Sequence, residues 1–273
     1  MPNPVSAMAR GTAAMVRTLA GNARLLVAIT RVELSKKYAG SVLGASWLIL
    51  QPALLLSVYL FVYLVVFKMR FPGLSRLDYV LYVFCGLVPY MGSIDAITLG
   101  AMSIKQNIHL VKNVMLPIEL VPVRAVLVAA ASQGVGLSVV ILLSALNGAL
   151  TLHVLWLPVV WALQILMLFG VVWILSSIAV GLPDISYFIN LFLFLLMWVS
   201  PIGFTVDMVP ANLAAVLYLN PVYYLLDVYR DSLLVGRFPS PHVALIYVGL
   251  SLLVFAVGSA FFRGFRGVLL DYE

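Results

Sequence analysis

Residues 31–52 decide the fold, and they run Arg31-Val-Glu-Leu-Ser-Lys-Lys-Tyr-Ala-Gly-Ser-Val-Leu-Gly-Ala-Ser-Trp-Leu-Ile-Leu-Gln-Pro52. Within this stretch a charged, amphipathic segment ends and an apolar one begins, which continues without a charged residue to Phe67. An apolar segment of about 20 residues is long enough to cross the hydrocarbon core of a bilayer as a helix. The junction therefore predicts a surface helix that leads directly into a membrane span.

The composition of the whole chain agrees with a membrane protein. Of 273 residues, 64% are hydrophobic and 10% are charged, whereas a soluble domain carries about 25% charged residues. Backbone polar groups in hydrocarbon must bond within their own segment, which favours helices. We therefore predict an all-α integral membrane protein whose six spans cover residues 46–67, 79–102, 122–147, 155–180, 186–204 and 242–262.

The region between the fifth and sixth predicted spans is ambiguous. Segment 186–204 is short for a span, and residues 206–235 are too polar to cross a membrane alone. Two interpretations stay open for residues 206–235, within a predicted extracellular segment of about 201–240: short helices on the outer leaflet, or a re-entrant pair. Lysine and arginine are more numerous on the side that carries both chain ends, which predicts cytoplasmic termini and accounts for the net charge of +6 without a nucleic-acid partner.

The first 45 residues are predicted to form a cytoplasmic amphipathic interface helix, ahead of a transmembrane domain over 46–262 and a cytoplasmic tail over 263–273. Four arginines recur every seven residues and so return to nearly the same helix face. A disordered or cleaved tail is the alternative. The basic stripe and the apolar residues opposite it are Arg10, Arg17, Arg24 and Arg31, and Met15, Leu19, Leu25, Leu26 and Ile29.

No catalytic chemistry is visible in the sequence. The chain has no Gly-Lys dipeptide and hence no phosphate-binding P-loop, and its three histidines are scattered. We therefore predict a transporter subunit rather than an enzyme, driven by an ion gradient or by a separate ATPase. Asp95 is the main candidate for an ion-coupling acid, but it lies near the cytoplasmic end of its span, where a shallow structural hydrogen bond is expected.

The loop between the second and third spans is short, basic and amphipathic. Ile104, Ile108 and Val111 recur at helical spacing, and Pro117 ends the pattern. A small helix of this kind suits docking to another protein, and an ordinary solvated turn is the alternative.

Three motif blocks, spread over roughly residues 30 to 270, resemble the permease subunits of polysaccharide-exporting ABC transporters of the type-2 family. The first is the junction already quoted, and the second is the loop that resembles their coupling helix, with Leu116 where phenylalanine is common. A departure is Pro183-Asp184, where an arginine commonly precedes the aspartate. The third block comprises Ser200-Pro-Ile-Gly-Phe, Met208-Val-Pro, Tyr218-Leu-Asn-Pro-Val and Tyr229-Arg-Asp-Ser-Leu-Leu.

The resemblance implies one half of an exporter in the bacterial inner membrane. Two copies would form the channel, two ABC ATPase subunits would bind ATP and Mg²⁺, and this chain would bind no cofactor or metal. The cargo would be a lipid-linked polysaccharide such as O-antigen, capsule or teichoic acid. A small-molecule or drug exporter of the same fold is the first alternative, and a membrane-embedded enzyme or assembly factor of envelope synthesis is the second.

The candidate site residues fall into four groups. The resemblance assigns the first group, within a helix over about 104–116, to ATPase coupling. It assigns the second group to the interface helix and its junction with the first span. The third group is predicted to line the channel, because aromatic rings suit the C–H faces of sugars. Aromatic residues are also common in helix packing and membrane belts, which is the alternative. An ion pair between Arg230 and Asp231 is expected at the extracellular mouth, with a solvated pair as the alternative. In that order the groups are Asn107, Leu110, Val111, Lys112, Pro117 and Glu119; Arg31, Glu33, Lys37, Tyr38 and Trp47; Tyr59, Tyr63, Phe188, Phe192 and Trp198; and Pro201, Asn220, Pro221, Arg230 and Asp231.

Overall fold

The computed structural model describes residues 4–37, 39–66, 68, 75–107, 117–182 and 184–271. These residues contain helices and no strand, which confirms the all-α prediction. The helices are, in chain order, α1 (Pro4–Gly21), α2 (Ala23–Lys37), α3 (Trp47–Leu60), α4 (Arg76–Ala101), α5 (Ser103–Gln106), α6 (Leu120–Leu146), α7 (Leu157–Gly181), α8 (Ile185–Val199), α9 (Ala211–Leu219), α10 (Pro221–Arg230) and α11 (Pro241–Asp271).

Within the described ranges, five helical segments are long and apolar enough to cross a membrane. They begin and end near the predicted spans because a span is defined by a continuous run of apolar residues. A single turn of 3₁₀-helix precedes both α3 and α7, and a π-helical segment extends α3. The segments are Gly44–Val66, Leu77–Ala101, Leu120–Leu146, Leu152–Gly181 and Pro241–Gly267.

The amphipathic N-terminal region forms two helices that meet at Asn22, rather than one. The side chain of Asn22 donates a hydrogen bond to the carbonyl of Thr18 at 2.8 Å, close to where α1 ends. α1 packs along α11 and α2 packs along α6, so Met15 and Leu26 are buried against the bundle. Leu25, predicted to share their face, is instead 39% exposed, because it is next to Leu26 in α2 and consecutive helical residues point about 100° apart.

A turn built from two glycines joins α2 to α3. Gly40 and Gly44 have φ angles of +82° and +49°, a region that favours residues without a Cβ atom. Neither glycine has a heavy atom within 4 Å of the position where a Cβ would lie, so the pair serves the turn and not a close helix contact. The indole of Trp47 donates to the hydroxyl of Ser41 at 3.1 Å and closes the turn.

The bundle centres on α4, α6, α7 and α11. The closest approach is between α7 and α11, where a Cβ on Gly170 would lie 2.2 Å from the carbonyl oxygen of Val254, and a Cβ on Gly258 would lie 2.2 Å from that of Gly170. Trp173, fully buried, packs beside this contact against Phe255 and Phe262.

The fifth predicted span is shorter than expected. α8 has 15 residues and therefore spans about 22 Å, less than the roughly 30 Å of a hydrocarbon core. The helix ends at Val199 and not at residue 204, because the backbone extends at Ser200, before Pro201.

The two short helices that follow differ in their surroundings. α10 packs against α4, α7 and α11 and buries Val222, Leu226 and Tyr229, whereas α9 exposes most of its apolar side chains. α10 therefore lies inside the bundle, an arrangement that favours the re-entrant interpretation for this helix.

Candidate functional site

The helix α2 is attached to the bundle by two ion pairs. Lys37 Nζ lies 2.8 Å from Asp95 Oδ2 on α4, and Arg124 Nη1 on α6 lies 3.4 Å from Glu33 Oε1. The expected hydrogen bond of Asp95 is thus an ion pair to the interface helix. Arg124 was not among the predicted site residues, because nothing local in the sequence connects it to a helix 91 positions away.

A charged cavity of about 350 Å³ lies beside these ion pairs, between α2 and the ends of α4 and α6. It carries three basic side chains and one acidic one. Asn107 also lines it, and its amide donates to the carbonyl of Ser103 at 2.8 Å, which closes the short helix α5. The lining residues are Glu33, Lys36, Lys37, Leu99, Ser103, Gln106, Asn107, Arg124, Ala125 and Val128.

The other described residues that were predicted for ATPase coupling or for the interface helix do not line this cavity. Arg31 is exposed on α2, and Pro117 is half-buried. Leu110, Val111, Lys112 and Tyr38 lie outside the described residues.

The side chain of Glu119 points into the protein. Its side chain is 5% exposed, and Oε1 lies 3.2 Å from Arg266 Nη1 near the end of α11. Its backbone carbonyl accepts a hydrogen bond from the indole of Trp173 on α7 at 3.1 Å. In this structure, Glu119 anchors the start of α6 to two other spans, α7 and α11.

An exposed aromatic face runs along α8. Tyr187 is 77% exposed and Phe188 is 68% exposed, and the ring of Phe188 stacks on that of Phe192 with centroids 6.5 Å apart. Trp198, half exposed, covers Tyr59 of α3 at 6.0 Å. Tyr59 itself is 4% exposed, so the prediction that it lines a channel is wrong for this structure; the side chain of Tyr63 lies outside the described residues.

The predicted ion pair between Arg230 and Asp231 is also wrong. Consecutive helical residues point about 100° apart, and the two side chains leave in different directions. Arg230 Nη2 donates to the carbonyls of Pro201 at 2.7 Å and Ile202 at 3.0 Å, and its guanidinium carbon lies 3.6 Å from the centre of the Tyr82 ring.

Asp231 has a different partner. Its Oδ1 atom lies 2.7 Å from Nε of Arg237. Burial raises the pKa of the Asp231 carboxyl, and the hydrogen bond from Arg237 opposes that shift.

Asn220 connects the start of α10 to the end of α8. Its Oδ1 accepts from the backbone N–H of Val222 at 2.9 Å, which is an N-cap, and its Nδ2 donates to the hydroxyl of Ser200 at 2.9 Å. Pro221 occupies the first position of the helix, and Pro201 is buried beside Ser200.

A buried polar network that the sequence analysis missed joins three of the long helices to α10. The amide of Gln133 on α6 donates to Gln164 Oε1 on α7 at 2.8 Å, and the Tyr229 hydroxyl on α10 donates to the same oxygen at 2.5 Å. Gln164 in turn donates to the carbonyl of Pro89 and the hydroxyl of Ser93 on α4, both at 2.9 Å. Two glutamines inside apolar spans were the available signal, since polar residues in spans are costly and often functional.

Metal chemistry finds no support in the part of the chain that the structure describes. No group of three or more His, Cys, Asp or Glu side chains in those ranges is placed to hold a metal ion.

These features define a multi-pass membrane protein. It has several span-length apolar helices, a charged face at the N-terminal helices and a polar network across the core. The chain belongs to the ABC-2 type transporter family, whose family model matches residues 24–234. It is therefore a permease subunit of an ABC transporter, a class that works in partnership with ATPase subunits.

Curated relatives cover most of the chain. An O-antigen export system permease protein RfbA of Klebsiella pneumoniae is 25% identical over 226 residues, which are 82% of this chain and 85% of the relative. One of the same name from Myxococcus xanthus is 25% identical over 255 residues, 92% of this chain and 96% of the relative.

Proposed function

We propose that this chain is the transmembrane subunit of an ATP-driven exporter that moves a lipid-linked polysaccharide across the bacterial inner membrane. Two copies form the channel, both termini of each lie in the cytoplasm, and two ABC ATPase subunits below them bind ATP and Mg²⁺. The chain itself binds no cofactor. The names of the relatives, which are O-antigen export permeases, support this substrate class.

The observation that carries the proposal is the aromatic face of α8 beside a weakly buried α3. Only 12% of the residues in the most apolar stretch of Gly44–Val66 are buried, against 67% for Leu77–Ala101. A span that its own chain does not cover meets lipid or another protein. Flat rings such as Phe188, Phe192 and Trp198 match the apolar C–H faces of sugars and carry no charge that would hold a moving polymer in place.

This arrangement supports a two-copy channel in which α8 faces the conduit and α3 contributes to the interface between copies. Tyr59 then positions Trp198, because the two rings stack.

Coupling to the ATPase is assigned to the cytoplasmic face. α2, with its two ion pairs, borders the charged cavity that Asn107 also lines. Leu110, Val111 and Lys112 follow Asn107 in the sequence and lie outside the described residues. If they form the docking surface, the double change Asn107→Ala and Lys112→Ala lowers recovery of the permease–ATPase complex and lowers transport. Full transport by that variant would contradict this assignment.

The experiment that tests the export function separates surface glycan from intracellular glycan in cells that lack this chain. The proposal predicts long lipid-linked polysaccharide trapped inside and a bare surface, restored by the wild-type gene. Normal surface glycan with no internal accumulation would reject the polysaccharide substrate and leave the alternative, export of small hydrophobic molecules, which the uncharged aromatic face of α8 also suits.

A further inference from the structure

The last two residues of α10 bind different parts of the molecule. The Tyr229 hydroxyl donates to Gln164 Oε1 at 2.5 Å and accepts from Gln133 Nε2 at 3.2 Å. Arg230 Nη2 donates to the carbonyls of Pro201 and Ile202, in the segment that follows α8. Tyr229 is fully buried and Arg230 is 6% exposed, so both sets of hydrogen bonds are shielded from water.

The Tyr229 side of this arrangement reaches deep into the bundle. Gln133 stands midway between the two ends of α6, Leu120 and Leu146, which places it about 20 Å from either end. Through Gln164 the same network reaches Pro89 and Ser93 near the middle of α4. α10 is thus hydrogen-bonded to α4, α6 and α7 through one network, near the middle of α4 and α6.

Two glycines of α4 make room for these polar groups. A Cβ on Gly92 would lie 2.2 Å from Gln133 Oε1, and a Cβ on Gly86 would lie 3.1 Å from Arg230 Nη2. The Arg230 guanidinium also covers the ring of Tyr82, on the same helix. The two glycines of α4 therefore leave the space that the amide network and the guanidinium occupy.

We propose that α10 is a relay that transmits movement of the α4, α6 and α7 spans to the segment of residues 200–204 at the end of α8. Tyr229 and Arg230 are its positioning residues, and neither needs to touch the cargo. Breaking a buried hydrogen bond without replacing it is costly, so the network moves as a unit with the spans that hold it. Charge-assisted hydrogen bonds from one guanidinium to two consecutive carbonyls then carry that movement to the segment after α8.

The relay rests on the proposed function, because the ATPase subunits supply the movement and α8 is the helix assigned to the channel. It deepens that proposal by naming one path between the ATP-driven spans and the exit segment, beside the direct hydrogen bonds from Tyr79 and Tyr82 of α4 to the carbonyls of Gly203 and Phe204.

Hydrogen exchange of the amides in residues 200–210 tests the relay directly. The sample is the complete permease–ATPase complex in lipid nanodiscs, measured with and without ATP. In the wild type, ATP changes the exchange of this segment. In Tyr229→Phe and Arg230→Met the ATP-dependent change falls by about fivefold or more, the scale of typical coupling between sites, while the complex still hydrolyses ATP.

Two matched variants separate the relay from a general loss of structure. Tyr247→Phe removes another buried hydroxyl, which donates to the carbonyl of Val160 on α7 at 3.1 Å, and it keeps the wild-type response to ATP. Arg230→Lys keeps one charged donor and restores part of the response. If Arg230→Met does not assemble, Tyr229→Phe and Arg230→Lys still decide the result.

An ATP-dependent change at residues 200–210 that is equal in wild type and Tyr229→Phe would overturn the relay, as would no change in the wild type. The measurement does not depend on the cargo. A complex that exports no polysaccharide but shows the Tyr229-dependent response would therefore overturn the proposed substrate and retain the relay.

Discussion

Lys37 Nζ lies 2.8 Å from Asp95 Oδ2, so the interface helix is held directly against the last quarter of α4. The side chains are 25% and 32% exposed, so the pair does not lie in the apolar core, and Lys37 also lines the charged cavity. An attachment of this kind connects the surface proposed to dock the ATPase to a span that also carries part of the buried amide network.

Charge exchange tests this attachment. Lys37→Asp and Asp95→Lys each place like charges together, and each lowers transport, while the free energy of unfolding falls by about 1 kcal/mol or less because the pair is partly exposed. The double exchange restores the attraction and with it transport. Surface glycan is the measurement, and the double exchange is the control, because it contains both changed side chains with their attraction restored.

Enlarging a glycine at the contact between α7 and α11 destabilises the protein. Gly170→Val or Gly258→Val places side-chain atoms where a backbone carbonyl lies 2.2 Å from the new Cβ, so the helices must separate. Overpacking of this kind costs about 1–3 kcal/mol. Thermal unfolding of the detergent-solubilised protein measures the loss, and Gly249→Val on α11, with no atom within 4 Å, is the matched control. Equal midpoints for all three variants would contradict the close approach.

Removing Arg266 and removing Glu119 are expected to lower the stability of the protein by different amounts. Arg266→Met leaves the Glu119 carboxylate, 5% exposed, without its cation, which costs about 1–3 kcal/mol or more. Glu119→Gln leaves an arginine that is 54% exposed and that water can solvate. The lower unfolding midpoint is therefore expected for Arg266→Met, and a double variant with both changes recovers part of the difference. The reverse order would mean that the pair is not arranged as described.

Crosslinking tests whether the aromatic face of α8 lines a conduit shared with a second copy. In a Cys85→Ala background, Phe192→Cys on this face gives a dimer crosslinked across the conduit by a bifunctional maleimide in membranes. Leu245→Cys, on α11 and 74% exposed, is the control and gives little dimer. Stronger crosslinking at Leu245 than at Phe192 would place the second copy against α11 instead.

Most of the fold follows from the sequence, because membrane spans are encoded by local composition. The predicted spans 79–102 and 122–147 agree closely with α4 and α6. The sixth span ends later than predicted, since α11 continues to Asp271. Its polar end packs against α1, a contact between the two ends of the chain that local hydropathy does not encode.

The side-chain partners are harder to predict, for the same reason. Arg230 and Asp231 are adjacent and oppositely charged, yet helical geometry directs them to Pro201 and Arg237 respectively. Tyr229 and Gln164 are 65 positions apart and meet only after four helices have packed. A span glutamine signals that a polar partner exists, and only the packing identifies which residue it is.

The most direct measurement of the central claim is ATP-dependent transfer of lipid-linked polysaccharide into inside-out membrane vesicles. The vesicles contain this chain with its ATPase subunits, and the glycan starts on the outer, accessible face. We predict that ATP makes the glycan resistant to an added glycosidase, and that vesicles without this chain, or with a hydrolysis-deficient ATPase, show no protection. Glycan that stays fully accessible in the presence of ATP, while a small hydrophobic dye accumulates in the same vesicles, would contradict the polysaccharide assignment.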